Sequence, residues 1–67
     1  MRMLRKREVS SVMLFEVEVS QDELELYESC TRYVLENFDE EGVEKLCGAY
    51  RDELLGMCED ISNLLKI

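Results

Sequence analysis

The segment Phe15-Glu16-Val17-Glu18-Val19 alternates apolar and acidic residues and runs straight into Ser20-Gln21-Asp22-Glu23, and this junction constrains the fold more than any other stretch. Strict period-two alternation is the mark of a strand with one buried face. Met13 and Val9 extend that face backward, while Val12 and Leu14 lie on the opposite one. The reading is a strand over residues 12–19. Ser20 followed by Glu23 is a capping box: the serine oxygen accepts from the N3 amide and the glutamate accepts from the cap amide. Asp22 and Glu23 suit the positive end of a helix dipole. A helix therefore starts at Gln21, directly behind the strand.

Leu24, Tyr27, Thr31, Val34 and Phe38 recur at helical spacing, flanked by Cys30 and Leu35, which predicts an amphipathic helix over 21–37. Glu28 and Arg32 form an i,i+4 pair on it. Asn37-Phe38-Asp39 breaks it, and Asp39, Glu40 and Glu41 open a second helical segment over 40–66. There Val43, Cys47, Tyr50, Leu54, Met57, Ile61 and Leu64 repeat at four-three spacing, widened by Leu46, Cys58 and Leu65, as a seam for another helix would. Gly48 and Gly56 each cost about 1 kcal/mol inside a helix, so they imply close helix approach or an interruption, with Cys47-Gly48-Ala49 the natural place for the latter. One helix or two is left open. The fold class is α+β, dominated by helix.

A single strand leaves backbone donors and acceptors without partners, so something must complete its sheet. Residues 1–8 can do so as an N-terminal hairpin strand, although no Asn-Gly or Asp-Gly marks a bend near Ser10 and Ser11. A second copy can do so as well, and a two-fold homodimer is the commonest such solution. Phe15, Val17, Val19, Tyr50, Leu54, Met57, Ile61 and Leu64 are the expected dimer or partner seam.

Charge divides the chain unevenly. Sixteen acidic and eight basic residues give a net charge of −8 over 67 residues. Arg2, Arg5, Lys6 and Arg7 form a basic arm over residues 1–8. From residue 8 onward four bases face sixteen acids, a net of −12, so residues 9–67 are read as a single acidic domain of strand and helices. An acidic body repels phosphates and attracts basic surfaces, including those that handle nucleic acid. Glu25, Glu28, Glu36, Glu44, Asp52, Glu53, Glu59 and Asp60 are the candidate residues for such a contact.

Several classes of function find no support. The chain has no histidine, the usual base for a nucleophile, and no phosphate-cradling glycine motif. No catalytic residue, metal or cofactor is expected, and the chain is read as a non-enzyme. Cys30, Cys47 and Cys58 do not form a disulfide framework. They are read as reduced, buried small hydrophobes in a cytoplasmic protein. The longest aliphatic or aromatic run, Val12 to Phe15, falls far short of the roughly 20 residues that span a bilayer.

A strand followed by two helices behind a basic N-terminus resembles, over residues 9–58, the ribbon-helix-helix repressors in order of elements. That resemblance implies a dimeric DNA-binding regulator whose paired strands enter the major groove, with Arg2, Arg5, Lys6 and Arg7 as phosphate contacts. Glu16 and Glu18 stand where such a ribbon presents basic or amide side chains, and a phosphate-lined groove repels them. Residues 43–57 resemble a helix-turn-helix with Gly48 in its turn, but the reading helix would open on Arg51-Asp52-Glu53. The primary expectation is therefore a small acidic protein-binding module, of inhibitor, antitoxin or immunity type, acting on a basic partner. The DNA-binding regulator is the alternative, and nucleic acid is the less expected ligand.

Overall fold

The computed structural model describes all 67 residues, in the order β1 (Arg2–Val9), β2 (Val12–Glu18), α1 (Gln21–Asn37), α2 (Glu40–Cys47) and α3 (Arg51–Leu65). It is α+β and helix-dominated. The basic N-terminal stretch is a strand, antiparallel to β2, so the hairpin alternative completes the sheet within one chain. Ser10 and Ser11 form the two-residue loop with φ of 51° and 67°. Positive φ at both loop residues is what a type I′ turn requires, because that turn matches the twist of its strands. Serine carries this conformation where Asn-Gly is usual, which is why no turn signal marks the bend.

Pairing runs from Val9 against Val12 to Arg2 against Glu18, with a register irregularity around Leu4. One face carries Met3, Met13, Phe15 and Val17 with Lys6 and Glu8. The other carries Arg2, Arg5, Arg7, Glu16 and Glu18 with Val9, Val12 and Leu14. Arg2 pairs with Glu18, and Arg7 lies 3.5 Å from Glu16. Lys6 sits 5.7 Å from the Phe15 ring centre, within cation–π range.

Helix α1 begins with the expected box: Ser20 Oγ accepts from the Glu23 amide at 3.1 Å and Glu23 Oε1 accepts from the Ser20 amide at 3.3 Å. Helix α2 is capped by Asp39, whose Oδ1 accepts from the Gly42 amide at 2.8 Å. It ends at Gly48, left-handed at φ 69°, whose amide donates to Glu44 O at 2.9 Å. Of the two alternatives for residues 40–66, the broken one is realised. Helix α3 restarts behind Tyr50, whose amide donates to the Glu53 carboxylate at 3.3 Å.

The break corrects the seam. Gly48 and the extended Tyr50 reset the helical phase, so the four-three repeat does not lie along one helix. Leu54 and Cys58 of α3 turn inward against Leu35 of α1 and Val43 of α2, and these four are the only buried side chains. Tyr50, Met57 and Leu64 are 67%, 55% and 55% exposed, and Ile61 is half-buried. Gly56 has open space where a side chain would stand, so close helix approach is not its role. Cys30 and Cys47 are exposed rather than buried, and only Cys58 matches that expectation.

Helices α1 and α3 pack on each other, joined by two bonds that bridge distant residues. Arg51 donates to the Leu35 carbonyl at 3.2 Å, and Ser62 Oγ donates to Glu28 Oε2 at 2.6 Å. No helix is long and apolar enough to cross a membrane.

Candidate functional site

Burial in a chain this short has an expected scale, and this molecule falls well short of it. A folded monomer of 7.9 kDa exposes about 4400 Å² by the usual size scaling, whereas this chain exposes 5495 Å². Its radius of gyration is 13.6 Å, against about 11 Å for a compact domain of this length. The cause is the hairpin. Every residue of β1 and β2 is exposed, on both faces. The one polar contact between hairpin and helices is the Met1 ammonium on Glu23, at 2.8 Å.

Within the hairpin, Phe15 is 56% exposed, and Met3, Met13 and Val17 beside it are also open to solvent. Val19, the last residue of the anticipated strand, lies just beyond β2 and is half-buried. Of the eight anticipated seam residues, Phe15 and Val17 share one hairpin face, Leu54 belongs to the core, and Tyr50, Met57 and Leu64 lie on the outer surface. They do not gather into one stripe. Leu26, Tyr33 and Leu46 also stand exposed on the helices, which no local pattern of residues indicates.

The acidic candidates separate into distinct settings. Glu28 is held by its neighbours: Ser62 donates to one carboxylate oxygen, and Arg32 donates to the other at 3.0 Å. The Ser62 hydroxyl first, then Arg32, hold its carboxyl below the usual range. Glu53 caps α3 through the Tyr50 amide. Glu25 accepts from Gln21 at 3.0 Å one turn earlier on α1. Glu36 and Glu59 border an open groove of about 540 Å³ between α1 and α3, where Arg32, Arg51 and Lys66 alternate with them. Glu44 and Asp52 line a second depression with Glu40, Glu41 and Arg51. Asp60 is exposed on α3.

The basic candidates share β1. Arg2 and Arg7 are tied to carboxylates of β2, Lys6 lies over Phe15, and Arg5 makes no ion pair. Counting along the chain, the hairpin over residues 1–18 has four bases and three acids, a net +1, and residues 19–67 have four bases and thirteen acids, a net −9. A hairpin of small net charge, with apolar side chains exposed among paired charges, thus stands on a strongly acidic helical unit. Compared with protein-family models, curated proteins and solved structures, the chain matches none.

Proposed function

We propose that the chain is a small non-enzymatic protein-binding module that works as a homodimer, and that its acidic helices occupy a basic surface on a partner that handles nucleic acid. An inhibitor, antitoxin or immunity-type protein acts in this way. One observation carries the reading: four of 67 side chains are buried, while the hairpin leaves Met3, Met13, Phe15 and Val17 in water. Exposed apolar surface on this scale marks a contact site, since monomeric proteins rarely leave it uncovered. The net −9 of residues 19–67 selects for a cationic partner and repels phosphate. Three thiols without disulfides fit a cytoplasmic setting.

The test is capture from the source cell with the full chain and with a variant carrying Glu25→Lys, Glu36→Lys, Glu44→Lys and Glu59→Lys. The wild type retains a basic protein that elutes as salt rises toward about 0.5 M, where charges are screened within a few ångströms, and the variant retains none of it. Equal retention by both overturns the acidic contact. Retardation of random duplex DNA that is lost with Arg5→Ala, Lys6→Ala and Arg7→Ala would overturn the reading in favour of the regulator.

A further inference from the structure

The two edges of the hairpin are not equivalent. A two-residue loop makes Val9 and Val12 the hydrogen-bonded pair that closes it, and antiparallel ladders alternate bonded and non-bonded pairs. The backbone groups of Leu14 and Glu16 therefore face β1. Those of Met13, Phe15 and Val17 point outward along the free edge of β2. On β1 the outward groups include those of Lys6 and Glu8.

The β1 edge has the devices that keep strands from pairing: a run of cations from Arg5 to Arg7 and a register irregularity around Leu4. Two β1 edges brought antiparallel about Lys6 would set Lys6 against Lys6 and Arg5 against Arg7, which like charges oppose. The β2 edge has no such device between Val12 and Phe15.

We propose that a second copy of this chain adds to the β2 edge, antiparallel and two-fold about Phe15, giving a four-stranded sheet in the order β1-β2-β2-β1. In that register Phe15 meets Phe15, Met13 meets Val17, Leu14 meets Glu16 and Val12 meets Glu18. No like charges stand opposite each other. Every outward amide and carbonyl of Met13, Phe15 and Val17 gains a partner, and the three apolar side chains from each copy form one continuous stripe. The chain as a whole has surface available for a second copy: it exposes about 1100 Å² more than a monomer of this mass is expected to, and a stable pair buries about 800 Å² on each partner. Head-to-tail pairing of β1 on β2 would match bases with acids but leave the β2 edge of one copy free to take another chain, so it would not close.

This inference rests on the dimer half of the proposed function, and the test separates the two. The full chain is examined by sedimentation or light scattering at about 100 μM, well above the range of a micromolar dimer. The wild type runs at twice 7.9 kDa. Phe15→Glu and Phe15→Lys each run at the mass of one copy, because like charges meet at the axis, and their equimolar mixture returns to two. Val17→Pro removes one outward donor from β2 and dissociates the pair, whereas Lys6→Pro removes one from β1 and does not. A wild type with the mass of one copy overturns both the inference and the dimer reading. Variants that remain dimeric alone overturn the β2 edge and leave a dimer standing. Monomeric variants that fail to recombine overturn the two-fold register at Phe15, and larger species overturn closure.

Discussion

The loop that closes the hairpin is a place where the backbone and the side chains disagree. Ser10 and Ser11 both hold positive φ, at 51° and 67°. An L-residue in the left-handed region costs roughly 1–2 kcal/mol, and glycine escapes that cost at the expense of about 0.5–1 kcal/mol of extra freedom in the open chain. Asparagine tolerates the conformation better than serine. Ser10→Asn combined with Ser11→Gly should therefore favour the closed hairpin by about 1 kcal/mol net, a shift of about fivefold in the closed-to-open ratio. Hydrogen exchange read by mass spectrometry gives the effect directly, since backbone amides of β1 and β2 exchange when the hairpin opens. Peptides covering residues 2–18 should exchange about fivefold more slowly in the double variant. Peptides from α3 should be unchanged, because Met1 with Glu23 is the one polar link between hairpin and helices. Unchanged exchange in the hairpin would refute the argument that the loop is strained. Equal slowing in both regions would refute the argument that the hairpin opens independently.

Other expectations follow from the helices. Gly56 is helical and has no atom within 4 Å of an added Cβ, so Gly56→Ala should stabilise the helical unit by about 1 kcal/mol. Gly48→Ala should destabilise it by about 1–2 kcal/mol because φ is 69°; thermal unfolding reads both, and shifts of the same sign would contradict the assigned roles. Glu28 has a pKa below its ordinary 4.5, chiefly through Ser62 and then Arg32. A depressed carboxyl contributes stability that is present above its ordinary pKa and lost as pH falls through the folded value. Ser62→Ala should therefore melt below wild type near neutral pH, with the gap closing as pH falls below 4.5, and a gap that ignores pH would count against the linkage.

What the sequence revealed and what it concealed divide along the range of the forces involved. The β2 strand and the start of α1 were legible because alternation and the Ser20–Glu23 box act over a few residues. The first strand was legible only as one of two ways to complete the sheet: its charges hide any alternation, and Ser10-Ser11 is an uncommon type I′ loop. The break at Gly48 was visible as an alternative but not as a decision, since the seam from Val43 to Leu64 stays in phase if the helix is assumed continuous. Once the left-handed residue rotates α3, Leu54 and Cys58 face the core and Met57 does not. The role of Glu28 was out of reach as well, because its strongest partner, Ser62, lies 34 residues away. Eight acids could be named from spacing, but nothing local says which two would be spent on α3: Glu28 joined to Ser62, and Glu53 capping its first turn.

The division between hairpin and helices also bears on how the molecule is held together. A lone two-stranded hairpin is marginal in water, and three or more strands with an apolar face are needed for independent stability. Here the hairpin gains almost nothing from the helices, and the helices bury only Leu35, Val43, Leu54 and Cys58 for themselves. Association through β2 would supply the third and fourth strands at one stroke, so the order of the hairpin and the pairing of two chains become a single equilibrium. Apparent stability must then rise with concentration, as it does for any state stabilised by a partner that binds only the folded form. The same coupling would give a reason for the contrast between a β1 edge guarded by cations and a β2 edge open from Val12 to Phe15: one open edge gives a closed pair, whereas two would give a fibre.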